Sequence, residues 1–214
     1  MINVGLFGGT FDPVHQGHMQ CATAALVEAG IDNIIFIPSA RPPHKKDEYI
    51  CNFDHRLAML KIAISSFENF SISDLERKRL HSSYTIDTLK IIQDRADRST
   101  KYHFIIGCDA FLEIESWYRW QSVIAQIDFL IVVRPGYNKS KLYELLNRNQ
   151  FKMDRGHNRT WYNQEGKNSI QLLATETEDI SSTEIRRRIR GKRPWKHFVA
   201  DDVGYYIVKH SLYL

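Results

Sequence analysis

The sequence predicts a doubly wound α/β fold, in which helices cover both faces of a mostly parallel sheet. Short apolar runs rich in β-branched residues recur along the chain, and each is too short to form a helix. Longer segments with helical spacing of their apolar residues lie between these runs. Strands that alternate with helices in this way are typical of an α/β sheet.

Four of the runs predict buried parallel strands, most of them followed by Gly, Pro or Asp, and they span 2–7, 34–37, 104–106 and 129–133. A further run at 170–173 predicts a return of the chain to the sheet. The apolar spacing predicts helices over 17–29, 54–67, 84–96, 182–190 and 199–210. The last two helices form a small C-terminal helical region at about 180–214.

The composition indicates an ordinary folded protein. A chain of 214 residues is long enough for one compact domain with a sizeable insertion, and two independent domains would be cramped. Hydrophobic residues make up 43% and charged residues 25%, which gives no tendency toward disorder. The net charge of +4 and the pI near 8.9 suit nucleic acids, membrane surfaces and nucleotide phosphates equally, so charge does not choose among these partners.

The cysteines and the N-terminus indicate a reducing compartment. Cys21, Cys51 and Cys108 are odd in number and widely spaced, which argues against a disulfide framework and against a structural zinc site. The N-terminal run lacks a basic region and a cleavage signal. No apolar run approaches the roughly 20 residues that a membrane helix requires. We therefore expect a soluble, cytoplasmic protein without a membrane partner.

A polar and basic segment from about 137 to 168 predicts an insertion into the domain. It carries Lys139, Lys141, Arg148, Lys152, Arg155, Arg159 and Lys167 against Glu144, Asp154 and Glu165. A nucleic-acid patch is one interpretation, and a solvated surface helix and loop is the usual one. We favour the second interpretation and expect no nucleic-acid partner. The sequence leaves open whether the segment contacts a partner subunit or covers the site.

Polar residues follow four of the predicted strands. Ligands of α/β sheets bind at the carboxyl ends of the strands, so these residues predict one common pocket. They are Gly8-Gly9-Thr10, Pro38-Ser39, Gly107-Cys108-Asp109 and Arg134-Pro135-Gly136.

The first strand is joined to the first helix by Gly8-Gly9-Thr10-Phe11-Asp12-Pro13-Val14-His15-Gln16-Gly17-His18. Adjacent glycines let the backbone approach a ligand, and the amides at a helix N-terminus bind anions. His15 and His18 are three residues apart, so they lie on one face and can donate to the same phosphate. A capping residue with a partly buried core histidine, or a metal-binding pair, are the alternatives. The glycine-rich turn, with no carboxylate or cysteine to complete a zinc shell, favours phosphate, and the lack of Gly-Lys-Ser/Thr excludes a P-loop.

A second motif near the C-terminus reads Ile180-Ser181-Ser182-Thr183-Glu184-Ile185-Arg186. Ser182 or Thr183 can cap the helix that follows and present its amides to a phosphate. Arg186 can bind the same anion through two parallel hydrogen bonds. The alternative is a capping box that opens a surface helix with solvated arginines.

Together these motifs resemble the Gly-x-Phe-Asp-x-x-His-x-Gly-His and Ser-Ser-Thr-x-x-Arg signatures of the nucleotidyltransferase superfamily. Within it, the chain is similar over nearly its whole length to the bacterial nicotinate-mononucleotide adenylyltransferases. The segments that carry this similarity are Pro42-Pro43-His44-Lys45, Ser83-Tyr84-Thr85-Ile86-Asp87-Thr88-Leu89, Ile106-Gly107-Cys108-Asp109 with Trp117, and Arg134-Pro135-Gly136. The resemblance implies one Rossmann-like nucleotidyltransferase domain over 1–214, with ATP and nicotinic acid mononucleotide as substrates and Mg²⁺ as cofactor.

The resemblance also implies roles for individual residues. Those expected to act in catalysis are His15, His18, Lys45 and Arg186. Those expected to bind the nucleotide are Gly8, Gly9, Thr10, Phe11, Gly107, Asp109, Arg134, Ser182 and Thr183. Trp117 would stack on the pyridine ring, Thr85 and the Tyr118 main chain would hold its carboxylate, and His44 would also contact the substrate. An aromatic core stripe at 117–120 and a helix N-cap at Asp109 are the alternatives from the residues alone. Arg56 matches a helix position of the family and is left outside the catalytic set.

Two alternative functions remain open. One is a sister adenylyltransferase that uses nicotinamide mononucleotide, phosphopantetheine or another phosphate nucleophile, against which Thr85, Trp117 and Tyr118 favour the nicotinate ring. The other is a nucleotide-sensing or nucleic-acid-binding module without turnover, against which intact histidines favour an enzyme. The oligomeric state is also open, and a homo-oligomer is compatible with the sequence.

Overall fold

The computed structural model of the chain describes residues 1–42, 49–79, 82–95, 97, 99–133 and 136–214. These residues form one sheet in the order β3-β2-β1-β4-β5-β8-β7-β6. The strands are β1 (Ile2–Gly9), β2 (Asn33–Pro38), β3 (Phe70–Ile72), β4 (Thr100–Gly107), β5 (Asp128–Val133), β6 (Lys152–Met153), β7 (Thr160–Tyr162) and β8 (Ser169–Glu176).

Six of the strands run parallel, which confirms the predicted mostly parallel sheet. β1 lies between β2 and β4, and the parallel pairing continues outward to β3 on one side and through β5 to β8 on the other. The last two strands are antiparallel, because β7 returns along β8 and β6 pairs with β7. The carboxyl ends of β1, β2 and β4 therefore meet at one edge of the sheet, where a ligand is expected.

The helices are α1 (Gln16–Ala29), α2 (Phe53–Ile64), α3 (Thr85–Asp94), α4 (Cys108–Leu112), α5 (Trp120–Ile124), α6 (Lys139–Arg148), α7 (Ser182–Arg190) and α8 (Asp201–Lys209). Short 3₁₀ turns occupy Ile114–Ser116 and Lys196–Phe198. The five helices predicted with bounds match α1, α2, α3, α7 and α8 to within three residues at each end, whereas α4 and α5 were not predicted. The described helices are not long and apolar enough to cross a membrane.

Two apolar clusters cover the two faces of the sheet, as a doubly wound fold requires. Alternate residues of a strand point to opposite faces, so Phe7 of β1 belongs to one cluster while Val4 and Leu6 belong to the other. Apolar residues of α1, α2, α7 and α8 pack with Phe7. Residues of α3, α4, α5 and α6 pack with Val4 and Leu6.

The basic segment from 137 to 168 is built into the domain, which differs from the predicted solvated helix and loop. Leu142, Leu145 and Leu146 form a buried stripe along α6, and Trp161 of β7 is buried in the same cluster. The basic side chains occupy the other face of an amphipathic helix and the ends of a hairpin. The prediction rested on the number of charged residues, which does not reveal this stripe. Three leucines at helical spacing are sufficient to bury one face of a helix.

Replacing Leu142 tests whether this segment contributes to stability. Leu142 is fully buried, so Leu142→Ala removes apolar contacts and leaves a cavity. We expect the free energy of unfolding to fall by about 2–5 kcal/mol, measured by urea denaturation. Val27→Ala, at a position of α1 that is 78% exposed, is the control and should change stability by less than about 0.5 kcal/mol. Equal stability of the two variants would show that the segment lies outside the cooperative core.

Candidate active site

The loop that joins β1 to α1 is compact and closely packed. The Phe11 ring is buried, and its backbone has a left-handed φ of 50°. A Cβ added at Gly9 would lie 2.9 Å from Cζ of that ring, which is closer than a real contact allows. Gly9 is therefore needed to make room for Phe11, whatever it also offers to a ligand. Phe11 is predicted to bind nucleotide, and its side chain belongs to the core.

The two histidines of the motif lie together, as predicted. His15 is the N-cap of α1 and is buried, and its ring centroid lies 3.7 Å from that of His18. The backbone amide of His15 donates to Nδ1 of His18 at 3.2 Å. Because Nδ1 accepts this bond, a neutral His18 carries its proton on Nε2. The structure therefore combines the capping role that was the alternative interpretation with the predicted placement of both histidines on one face, and His18 presents an Nε2 donor.

Asp12 is the point where this loop is tied to distant parts of the chain. Its carboxylate is almost fully buried, and Oδ2 accepts from the Cys51 amide at 3.3 Å. The Tyr213 hydroxyl donates to Oδ1 at 2.7 Å. Nη1 of Arg186 lies 3.8 Å from Oδ2 and donates to the Asp12 carbonyl at 2.7 Å. Asp12 thus anchors two C-terminal residues to the loop that precedes the histidines.

The second motif docks on the same loop. Ser181 caps α7 by accepting from the Glu184 amide at 3.2 Å. The Ser182 hydroxyl donates to the Pro13 carbonyl at 2.9 Å, and Nη2 of Arg186 donates to the Thr183 hydroxyl at 3.3 Å. Arg186 is buried, in contrast to the solvated arginine of the alternative interpretation. The structure therefore brings the two motifs together.

Arg56 of α2 joins three chain segments at the carboxyl edge of the sheet. Its Nε donates to the Cys51 carbonyl at 2.9 Å, and its Nη1 donates to the carbonyls of Thr10 at 2.7 Å and Ser39 at 2.8 Å. Its side chain is among the largest fully buried ones. Burial lowers the pKa of the guanidinium, and the negative charge of Asp12 opposes that shift. Arg56 thereby fixes the ends of β1 and β2 relative to each other.

A cavity of about 160 Å³ opens where β1, β2 and β4 end. This volume is roughly that of a pocket that accepts a six-membered aromatic ring. Predicted site residues among its lining are Gly8, Gly9, Thr10, Thr85, Trp117 and Tyr118. Trp117 stands edge-on to Phe104 with ring centroids 6.1 Å apart, and the Tyr118 ring lies 4.6 Å from that of Tyr84. The cavity is therefore apolar on its walls and polar where Thr85 begins α3.

A buried carboxylate also lines this cavity. Glu76 is 5% exposed, and its Oε1 accepts from the Thr88 hydroxyl at 2.6 Å. Its Oε2 accepts from the Ala40 amide at 3.4 Å, and Nη1 of Arg79 lies 3.9 Å from Oε1. Glu76 thus joins the loop after β2 to α3, on which Thr85 is the first residue. Its negative charge is matched by neighbouring donors.

Other predicted site residues are placed differently or lie outside the described ranges. Gly107 is the N-cap of α4 and faces open space, and Asp109 is exposed in the first turn of that helix. Neither is among the residues that line the cavity, nor are His15, His18 and Arg186. His44, Lys45 and Arg134 lie outside the described residues.

Three residues that organise the site are absent from the predicted set, because sequence reasoning left Arg56 outside the catalytic set and did not consider Glu76 and Tyr213. Arg56 had a signal, since it is a charged residue on the apolar face of a predicted helix, where charge is costly unless paired. Glu76 lies between predicted elements, and Tyr213 lies near the C-terminus, so neither had a periodic pattern to mark it. Their contacts join positions that are distant in the chain.

Comparisons with known proteins agree with this geometry. The family model described as cytidylyltransferase-like matches residues 6–188. The nicotinate-nucleotide adenylyltransferase of Bacillus subtilis is 34% identical over 214 residues, a match that covers 100% of this chain and 99% of that protein. A protein of Desulfotalea psychrophila named probable nicotinate-nucleotide adenylyltransferase is 33% identical over 217 residues and is covered completely, as is this chain.

Solved structures share the fold. Plasmodium falciparum nicotinic acid mononucleotide adenylyltransferase complexed with APC aligns with a TM-score of 0.75 at 20% identity, and the match covers 100% of this chain and 98% of that chain. The same Plasmodium protein complexed with NaAD aligns with a TM-score of 0.73 at 21% identity and the same coverage.

Removing the hydroxyl of Thr88 tests the buried carboxylate of the cavity. Thr88→Val keeps the shape of the side chain and takes one donor from Glu76. An acceptor that loses its partner in a buried position costs about 1–3 kcal/mol, so we expect urea unfolding to report a loss of that size. Thr23→Val on the exposed face of α1 is the matched control and should change stability little. Equal effects of the two substitutions would mean that Glu76 does not depend on Thr88.

Proposed function

The chain belongs to the nicotinate-nucleotide adenylyltransferase family, and on that premise we propose that it transfers the adenylyl group of ATP to nicotinic acid mononucleotide, giving deamido-NAD and pyrophosphate. The observation that carries this proposal is the cavity at the strand ends. It combines a ring-sized volume, the indole of Trp117 and the start of α3 with the glycine loop that leads to His15 and His18.

The reaction is an in-line displacement at phosphorus. An oxygen of the 5′-phosphate of nicotinic acid mononucleotide attacks the α-phosphorus of ATP and forms a new P–O bond. The bond from the α-phosphorus to the oxygen that bridges to the β-phosphorus breaks, and pyrophosphate leaves with that oxygen. The step needs no covalent enzyme intermediate, so the protein contributes positioning and charge stabilisation.

The two histidines stabilise the charge that grows on the α-phosphate. The Nε2 proton of His18 is the donor, because Nδ1 is engaged by the His15 amide. His15 caps α1 and holds His18 at ring-contact distance. The N-terminal amides of α1 add positive potential at the same place.

The outgoing pyrophosphate is held by cations from two segments. Arg186 is fixed beside the β1–α1 loop by Asp12 and Thr183. Lys45 contributes by resemblance to the family, which also implies that His44 contacts the substrate and that Arg134 contacts the nucleotide. These three residues lie outside the described residues. Guanidinium and ammonium groups suit phosphate as paired donors and as point charges, respectively.

Any magnesium ion at this site would be bound together with ATP. The described residues contain no group of three or more His, Cys, Asp or Glu side chains that converge to hold a metal ion. Asp12 and Glu76 have their oxygens engaged by protein donors. We infer that Mg²⁺ is carried by phosphate oxygens and water, the mode in which magnesium usually accompanies nucleotides. Bound there, it would neutralise charge on the departing phosphates.

The nicotinate ring fits the cavity lined by Trp117. An indole face complements a flat, electron-poor ring. Thr85 is the first residue of α3, so its hydroxyl and the helix N-terminal amides can receive the ring carboxylate, together with the Tyr118 main chain. The adenosine side of ATP is assigned to Gly107 and Asp109 at the start of α4, and the phosphates of ATP to Ser182 and Thr183 at the start of α7.

We also place the reaction in the cytoplasm. The three cysteines of the chain form no disulfide, which suits a reducing compartment. The partners of the proposal are small molecules, ATP and nicotinic acid mononucleotide.

Pyrophosphate release is the direct test of the proposed reaction. With ATP and Mg²⁺, we expect rapid release with nicotinic acid mononucleotide and much slower release with its amide, because the amide cannot offer an anion to α3. Phosphopantetheine, assayed in parallel, tests the sister activity. Release with phosphopantetheine or with the amide alone would move the assignment to another acceptor, and release with none of the three would contradict an adenylyltransferase.

Replacing His18 tests the donor assigned to the α-phosphate. We expect His18→Ala to lower kcat by roughly 10²–10³-fold, the usual effect of removing one preorganised donor, while the thermal unfolding transition stays cooperative. His157→Ala is the control, since His157 lies on the surface with 80% of its side chain exposed. Wild-type turnover in His18→Ala would refute the role of His18.

A further inference from the structure

The second-last residue of the chain reaches the loop that carries the histidines. Tyr213 is 5% exposed and packs in the apolar cluster that covers Phe7 and Phe11. Its hydroxyl donates to Oδ1 of Asp12 at 2.7 Å, across a sequence separation of 201 residues. The proposed reaction does not use this contact, and neither signature motif contains Tyr213.

The C-terminal tail takes an unfavourable backbone conformation to place this ring. Ser211 has a φ of 50° and Tyr213 has a φ of 67°, both in the left-handed region that side chains disfavour. Hydrogen bonds from the Ser211 amide to the Val208 carbonyl at 3.1 Å and from the Leu212 amide to the Ile207 carbonyl at 3.0 Å hold the turn. The chain therefore bends back after α8 and inserts Tyr213 under the β1–α1 loop.

The hydroxyl of Tyr213 stays a donor throughout the working range of pH. Burial is the main reason that the pKa of Tyr213 is raised, and the nearby charge of Asp12 raises it further. Because the hydroxyl keeps its proton at neutral pH, it can donate to Oδ1 of Asp12 as the structure shows. The other oxygen faces the Cys51 amide and Arg186.

We propose that Tyr213 is a positioning residue for adenylyl transfer, which holds Asp12 so that Arg186 and the histidine-bearing loop keep their working geometry. This inference rests on the proposed function. Its physical basis is the distance of 3.8 Å between Nη1 of Arg186 and Oδ2 of Asp12, which is longer than a direct charge-assisted hydrogen bond. A carboxylate that lost the Tyr213 donor would turn to the remaining donors and pair more closely with Arg186. The positive charge available to pyrophosphate would then fall.

Tyr213→Phe tests the hydroxyl and keeps the ring in the core. We expect kcat/KM for ATP to fall about tenfold while the variant remains folded, as judged by a cooperative thermal transition. Tyr205→Phe in α8, the helix that precedes the tail, at a position that is 68% exposed, is the matched control and should equal the wild type. An unchanged kcat/KM in Tyr213→Phe would overturn the proposal.

A double-mutant cycle shows whether Tyr213 acts through Asp12. In an Asp12→Asn background there is no carboxylate to be drawn to Arg186, so loss of the Tyr213 hydroxyl should reduce kcat/KM much less than in the wild type. A purely structural effect of Tyr213 would instead multiply with the effect of Asp12→Asn. Multiplying losses would therefore contradict the proposed route.

A readout without turnover separates this inference from the proposed function. The ring ¹⁵N resonances of His15 and His18 in the ligand-free protein should shift in Tyr213→Phe and stay unchanged in Tyr205→Phe. If the wild type releases no pyrophosphate with any acceptor, the proposed reaction fails, and these resonances still report whether Tyr213 positions the loop. Histidine resonances identical to those of the wild type in Tyr213→Phe would overturn the positioning role.

Discussion

The buried carboxylate of Asp12 is the interaction on which the rest of the site depends. An ionised carboxylate in a core is tolerated when donors surround it, and Asp12 has the Tyr213 hydroxyl, the Cys51 amide and the nearby Arg186 guanidinium. These donors come from the segment before α2, from α7 and from the C-terminal tail. Removing any one of these donors would leave the buried carboxylate with fewer partners. The need to stabilise Asp12 therefore holds the three segments together. The left-handed backbone of Phe11 persists because the surrounding structure determines it.

Side chains of α1 also accept hydrogen bonds from backbone amides at the end of β8 and just after it. Glu28 accepts from the Thr175 amide at 2.8 Å and also bonds the Ala174 amide, where the pairing of β5 and β8 is irregular. Gln20 accepts from the Glu178 amide at 2.8 Å. Side chains of α1 thus satisfy the backbone of the connection that leads into α7. Because α1 carries the histidines at its start and α7 carries Arg186, one helix sets the relative position of both motifs.

Much of the fold follows from periodicity, and the failures have physical causes. The predicted helix over 182–190 coincides with α7, since Ser181 caps its start and apolar residues mark its buried face. β3 contains three residues, too few to show alternation, and α4 and α5 are single turns beyond the reach of a 3.6-residue pattern. In the basic segment, the prediction relied on the number of charged residues and did not consider the leucine stripe of α6. The spacing of apolar residues, which decides burial, is not contained in a charge count.

The candidate site was predictable where its residues act locally, and less so where they act at a distance. Gly8, Gly9 and Thr10 could be predicted from the sequence of one turn. In the structure they line one cavity together with Trp117, which lies on a separate loop. Glu76 could not be predicted from the sequence. Its carboxylate lines the pocket proposed for an anionic ring, and an unpaired carboxylate there would repel that ligand. Thr88 and Ala40 donate hydrogen bonds to its two oxygens, and Arg79 lies near it. These groups stabilise the negative charge of Glu76 and weaken its repulsion of an anionic ligand. Under the proposed function, the start of α3 is the polar feature assigned to the ring carboxylate, and discrimination between acid and amide would then depend on that helix N-terminus.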